Sequence, residues 1–349
     1  MRYEFAVKIR IFCTVVIVAA LHGCASGAAV EEFLSYSRAF EQVADVSEAI
    51  HDRLAQAERR TAMTSRCRTA IEKRDIPKAL QPYCRDGSYP VASFDPQDAP
   101  YLVESSDPPF AAAQRALVRT ILAYNKALAA YAEGRALAPY QAEFERAAGE
   151  LSLLATVVTG STLPLSGVVG VFSALVQPLA SAASEEAFRK NLPANFGLID
   201  QCLLALRDGR PVSTATLSPA AREALAAVDG QPQSVTVSGG SALMFEVLTD
   251  DLSRRIETTA AQYAKEGTDE AKRKAETEER LVAEREKIRV LVAEWVVTLD
   301  AVRAALHQAK LAAERPATAL STARSVSTGV MNLRLSAEAT KRALAKLGV

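Results

Sequence analysis

A length of 349 residues fits one large domain or two small ones, and the 41 basic and 41 acidic side chains give a formal net charge of zero. A balanced chain creates no long-range field, which excludes the attraction of nucleic acid or anionic lipid by overall charge. Alanine-rich segments studded with Glu, Lys and Arg, with only 6% aromatic residues, predict a mostly α-helical protein.

The chain begins with the pattern of an export signal. Three basic residues precede an apolar run over residues 11–21, which is too short to span a bilayer as a stable helix. The run closes on residues 21–24, Leu-His-Gly-Cys. This sequence resembles the lipobox of bacterial lipoproteins, with His22 in place of the usual small or β-branched residue. The resemblance implies that a diacylglyceryl group is attached to the Cys24 thiol and that the chain is cut just before it.

The expected anchor determines where the protein lies. Because Ala25 and not Asp follows the cysteine, the resemblance implies the outer membrane, with the protein facing the periplasm or exposed on the surface. Loss of residues 1–23 removes three basic and one acidic side chain and leaves a formal net charge of −2. The alternatives are an ordinary secretory signal cut near residues 25–27, which would discard Cys24, and an uncleaved anchor.

Residues 24–29 are interpreted as a lipid tether and residues 30–349 as a helical domain. The tether spans at most about 20 Å, so the first helix is expected to start close to the lipid surface. Apolar residues at a period near 3.6 predict this first amphipathic helix over residues 30–62. His51 lies beside the apolar stripe and is predicted to be a boundary residue and not a ligand.

Residues 67–107 form the longest predicted irregular region and contain five prolines. In an oxidising periplasm Cys67 and Cys84 are the natural disulfide pair, and this bridge would stabilise the fold by about 3 kcal/mol. The acidic residues lack the spacing of an EF-hand, so no metal site is predicted. A long braced loop of this kind is the best candidate for partner contact. Cys202 is predicted to be a buried free thiol, with a redox or intermolecular role as the alternative.

The middle of the chain combines predicted helices with an uncharged stretch. Asp107 is predicted to N-cap a helix that begins with two prolines, and a further helix is predicted from Pro139 to about Val158. Residues 151–184 carry no charge. Because prolines, serines and threonines interrupt this stretch, we interpret it as buried core helices or a buried hairpin, with a membrane-inserting segment as the alternative.

Residues 194–347 contain the remaining predicted helices and a small β insert. Residues 194–207 predict a short buried helix, and residues 210–240 predict a small insert with a two-stranded ribbon. The helical pattern over 242–313 is too long for one rod in a compact domain, so two helices are predicted to meet near Gly267. Residues 317–347 predict a last helix with five basic side chains and one acidic one. A solvated face is the preferred interpretation of these charges, and a contact with lipid headgroups or an acidic partner is the alternative.

The sequence carries no motif for catalysis. The mature part has two widely separated histidines, His51 and His307, and lacks zinc-ligand spacing, a nucleophile elbow, a Walker loop and a Rossmann fingerprint. We therefore predict no enzymatic activity and no cofactor.

The predicted fold is an elongated bundle of long amphipathic helices with coiled-coil-like packing and a small two-stranded β insert. The predicted function is binding or scaffolding by an outer-membrane lipoprotein, through a protein partner or self-association and without nucleic acid. The alternatives are a helical pore-forming-like protein that uses residues 151–184 and an envelope hydrolase.

Overall fold

The structure is a computed structural model that describes residues 30–61, 107–135, 139–140, 142–143, 146, 185–209, 211–212, 235–236, 240–264, 270–314 and 319–347. Six long helices dominate this part of the chain: α1 over residues 30–61, α2 over Pro109–Ala132, α3 over Glu185–Asp208, α4 over Gly240–Ala264, α5 over Glu270–Glu314 and α6 over Ala319–Ala345. The protein is therefore a helical bundle, as the composition and the apolar periodicity predict.

Helices α1 and α2 pack side by side in opposite directions. Near the start of α1, the Tyr36 hydroxyl accepts a hydrogen bond from Asn125 Nδ2 in the second half of α2, at 3.3 Å. At the other end of α1, Glu58 reaches the backbone of Phe110 at the start of α2. Most of the apolar stripe predicted for α1 is buried, and its largest buried members are Phe33, Phe40, Ile50 and Leu54. The first predicted helix is thus confirmed, with its described part ending at residue 61.

Helix α5 is the longest element, and its 45 residues give a rod of about 67 Å. In its second half, buried side chains recur every three or four residues, at Leu291, Trp295, Leu299, Val302, Leu306 and Ala309. This half packs antiparallel to α6, because Thr298 is hydrogen-bonded to Thr340 while Ala305 lies against Gly329. The α5–α6 contact is therefore close, and a Cβ added at Gly329 would lie 3.4 Å from the Ala305 Cα.

The first part of α5 pairs with α4 beyond the end of α1. Helix α4 ends at Ala264 and α5 begins at Glu270, so two packed helices replace one continuous rod, as predicted. Gly267 itself lies outside the described residues. None of residues 276–287 is buried, whereas the buried stripe of α5 starts at Ile288. We call α4 together with residues 270–287 the α4–α5 hairpin.

A short β pair closes the connection between α3 and α4. Strand β1, Pro211–Val212, and strand β2, Val235–Thr236, are antiparallel, with Pro211 opposite Thr236. The predicted two-stranded element of the insert is thus present, although most of residues 210–240 lie outside the described part. Gly240 has φ of 41°, and a Cβ there would come within 2.3 Å of the Gly209 nitrogen. Only a residue without a side chain allows the ends of α3 and α4 to meet this closely.

Three local predictions are wrong. Asp107 does not cap α2, because Pro108 occupies the N-cap position and has no side-chain acceptor. His51 is not a boundary residue: only 1% of it is exposed. Helix α3 begins at Glu185, well before the predicted residue 194, with Pro193 inside it. Pro193 costs one backbone hydrogen bond, but burial of the nearby Phe188 and Leu192 favours continuation of the helix.

Several predicted features lie outside the described residues: Cys24, Cys67, Cys84, the irregular region before residue 107 and the uncharged stretch 151–184. Positions 139–140, 142–143 and 146 are helical, in agreement with a helix that begins at Pro139. Among the described helices, none is both long enough and apolar enough to cross a membrane.

Candidate functional site

The start of α2 is capped by a side chain from α1. The carboxylate of Glu58 accepts hydrogen bonds from the backbone N–H groups of Phe110 and Ala111, at 3.1 and 3.0 Å. These donors have no partner within their own helix, and Pro108 offers no side chain to satisfy them. Burial raises the pKa of Glu58 to about 7, against the opposing effect of the two N–H donors. Glu58 therefore joins two helices and serves a structural purpose.

A guanidinium network continues this joint along the α1–α2 interface. Arg115, with only 12% of its side chain exposed, is ion-paired with Glu48, Asp52 and Asp107. The distances to Asp52 and Asp107 are both 2.7 Å, and Arg119 binds Glu48 at the same distance. Because each of these three carboxylates is ion-paired with an arginine, the network fixes the two helices in register.

His51 lies in the core near this network. Its ring stands edge-on to Trp295, with centroids 6.4 Å apart, and its Nδ1 has no hydrogen-bond partner among the described residues. Burial, with the nearby charges of Arg115 and Arg119, lowers the pKa of His51 to about 3. The imidazole is therefore neutral near pH 7 and does not exchange protons there.

Cys202 is buried and free, as predicted. Burial raises the pKa of its thiol to about 12, so the reactive thiolate is absent at neutral pH. In the described part of the chain, no three His, Cys, Asp or Glu side chains group as metal ligands would.

A cleft opens where the α4–α5 hairpin leaves the bundle. It encloses about 250 Å³ between α1, α4, α5 and the residues that follow α6. Apolar residues form one part of its lining: Leu248, Leu252, Ile256, Ile288 and Leu347. Charged residues form the rest: Arg53, Arg255, Arg280, Asp251 and Glu284. We call this site the arginine cleft.

Both acidic residues of the arginine cleft have basic partners. Asp251 is held by Arg60 through two hydrogen bonds, Nε to Oδ1 at 2.5 Å and Nη2 to Oδ2 at 2.8 Å. Glu284 accepts from Lys287 Nζ at 2.6 Å, on the same helix. By contrast, neither Arg53 nor Arg280 has an ion pair within the part of the chain that the structure describes. The cleft thus has an excess of positive charge.

The environment of Arg53 reflects that excess. Burial lowers its pKa, and the nearby charges of Arg255 and Arg60 lower it further, while Asp251 and Glu284 act in the opposite direction. A guanidinium remains protonated in all ordinary conditions. Arg53 is therefore a half-buried cation with two further cations nearby.

A second groove lies between the start of α1 and the end of α2. It has three basic and three acidic side chains: Arg38, Lys126, Arg135, Glu41, Glu133 and Glu143. Lys126 donates to Glu143 at 3.1 Å, and Arg135 is paired with Glu133 and hydrogen-bonded to Tyr140. Its charges are balanced, which makes this groove a weaker candidate for ligand binding than the arginine cleft.

The arginine cleft is not predictable from the sequence. Its arginines come from α1, α4 and α5 and are separated by up to 227 positions, from Arg53 to Arg280. Near Arg280 the sequence has alternating charges that pair along the helix itself, Glu284 with Lys287 and Glu286 with Arg289. The cleft arises only from packing of distant helices.

Comparison of this chain with protein-family models, with curated proteins and with solved structures gave no match.

Proposed function

We propose that this protein is a lipid-anchored protein of the outer membrane whose helical bundle binds or scaffolds other molecules. The observation that carries the proposal is the export signal that closes on Leu21-His22-Gly23-Cys24 immediately before a helical domain. Binding is favoured over catalysis because the buried His51 and Cys202 are held in unreactive forms and the network around Arg115 is fully paired.

The arrangement of the helices supports a binding role at a distance from the bilayer. Helix α1 is already helical at residue 30, six positions after the acylated cysteine. Its far end contacts the α4–α5 hairpin through Arg60 and Asp251. An anchor at Cys24 would therefore hold one end of the bundle near the lipid and present the hairpin and the arginine cleft away from it.

Metabolic labelling with palmitate tests the anchor. The wild-type protein should carry the label, and Cys24→Ala should abolish it. Cys13→Ala is the matched control, since Cys13 lies within the signal and its replacement should leave labelling intact. Label that persists in Cys24→Ala would contradict the proposed anchor.

Photo-crosslinking in intact cells tests the binding role. A photoreactive amino acid at Val282, which is 69% exposed on the hairpin, should yield a discrete adduct of higher mass. Val297 is 53% exposed on the bundle body and provides the control position, where we expect no adduct. Absence of an adduct at Val282, or equal adducts at both positions, would contradict a role of the hairpin in binding.

A further inference from the structure

The arginine cleft joins a cationic part and an apolar part within one small site. Leu252 and Leu347 are half-buried and supply the accessible apolar surface of the cleft. Arg53, Arg255 and Arg280 supply the charge from three different helices. A ligand that matches the whole site must carry a negative group and an apolar group side by side.

The type of cation indicates the type of anion. Guanidinium groups present planar pairs of N–H donors that match the oxygen atoms of phosphate, and several arginines around one site suit a dianion better than a single carboxylate. The carboxylates of Asp251 and Glu284 would repel such a ligand if they were unpaired, but Arg60 and Lys287 hold them.

The size of the cleft limits the ligand further. A volume of about 250 Å³ lies below the range of roughly 300–1,000 Å³ that is usual for drug-sized ligands. The cleft therefore accommodates a phosphate with a short apolar group, and any longer chain on the same ligand would extend out of it.

We propose that the arginine cleft binds a phosphate monoester that carries an apolar group. The phosphate would lie against Arg53 and Arg280, and the apolar group would lie on Leu252 and Leu347. This inference rests on the binding role proposed above but is independent of the anchor at Cys24. The same chemistry could come from the membrane lipid phosphatidic acid or from a soluble phosphate monoester.

Isothermal titration calorimetry on the purified full chain in a nonionic detergent distinguishes these sources. One arm uses dihexanoyl phosphatidic acid as the lipid form, and the other uses phenyl phosphate as the soluble form. Binding of either compound supports the proposal and identifies the source. The absence of binding of both at millimolar concentration would overturn it, whether or not the chain carries an acyl group.

Two variants test the assignment of residues. Arg280→Gln changes an exposed side chain and should weaken binding about ten-fold or more, because it removes a charge-assisted contact with the phosphate. Arg53→Gln should weaken binding at least as much. Arg53 is half-buried, so if its replacement disturbs folding, the result for Arg280→Gln alone tests the proposal. Arg334→Gln, on the exposed face of α6, is the control and should bind like the wild type. Unchanged affinity in Arg280→Gln, or equal losses in Arg280→Gln and Arg334→Gln, would overturn the proposal.

Discussion

At the scale of single residues, the α1–α2 interface depends on polar groups that complete each other. Glu58 satisfies two backbone donors that α2 cannot satisfy itself, and Arg115 gathers three carboxylates in one place. Removing one member leaves its partners desolvated and unpaired, which costs more than the intact contact contributes. These residues therefore fix which face of α1 meets α2.

Replacement of Glu58 tests the cap supplied by α1. Glu58→Ala should lower the free energy of unfolding by about 1–2 kcal/mol, because it leaves the Phe110 and Ala111 N–H groups without an acceptor. Urea unfolding followed by circular dichroism measures this loss. Glu41→Ala, at an exposed position of the same helix, should change stability by less than about 0.5 kcal/mol. Similar values for the two variants would refute the capping role.

His51 predicts a specific dependence on pH. Its pKa is about 3 in the folded protein and near 6.5 in the unfolded chain, so its contribution to stability is present above pH 6.5 and is lost as the pH falls. Between pH 6 and 4, the wild type should lose about 1.4 kcal/mol per pH unit more than His51→Phe. Glu32 and Glu58 titrate with the opposite sign, but both proteins share them. Unfolding curves at each pH provide the test, and parallel profiles would contradict a buried neutral His51.

The cysteines of the mature chain should differ in reactivity. In the native protein we expect no thiol to react with iodoacetamide. After unfolding, Cys202 alone should react. After unfolding and reduction, Cys67 and Cys84 should react as well, which gives three reactive thiols. Burial of Cys202 and the proposed disulfide explain this order. Mass spectrometry counts the adducts. Three reactive thiols without a reducing agent would exclude the Cys67–Cys84 bridge.

Residue-level predictions from the sequence succeeded where local neighbours decide the outcome. Cys202 was predicted to be buried because its flanking residues are apolar, and it is. The predicted boundary position of His51 is wrong because the side chains that bury it, among them Trp295, come from distant parts of the chain. Asp107 has a side chain that suits an N-cap, but Pro108 occupies the N-cap position of α2.

At the scale of helices, the apolar periodicity and the length of each segment are sufficient to predict most of the helices. The stripe of α1 and the excess length of residues 242–313 led to the helices that the structure contains. The predicted start of α3 is wrong because a proline such as Pro193 normally marks the beginning or end of a helix. Here tertiary packing keeps the helix continuous through Pro193. The antiparallel pairing of α5 with α6 is not predictable from the sequence. It depends on residues such as Gly329, whose lack of a side chain matters only because Ala305 lies against it.

Gly329 therefore offers a test of the α5–α6 contact. Gly329→Ala should be neutral or stabilise the protein by up to about 1 kcal/mol, because its Cβ fits at 3.4 Å and alanine favours the helix. Gly329→Leu should cost about 1–3 kcal/mol, because the Ala305 backbone occupies the required space. Gly197→Leu is the control, since nothing lies within 4 Å of a Cβ there. Equal stability of the two leucine variants by urea unfolding would show that α5 and α6 are not in close contact.

At the scale of the whole molecule, the anchor that we propose at Cys24 and the α4–α5 hairpin lie at opposite ends of α1. The bundle between them is held by the α1–α2 charge network and the buried stripe of α5. The arginine cleft lies where the hairpin joins this bundle, so a ligand bound there would touch α1, α4 and α5 together. The location that we propose, however, depends entirely on acylation of Cys24.

Mass spectrometry of the N-terminal peptide from the mature protein, purified from its native envelope, tests that dependence most directly. The proposal predicts a peptide that begins at Cys24 and carries the added mass of a diacylglyceryl group on the thiol. A mature chain that begins at any other residue, or at Cys24 without an acyl group, would contradict the anchor and the envelope role that follows from it.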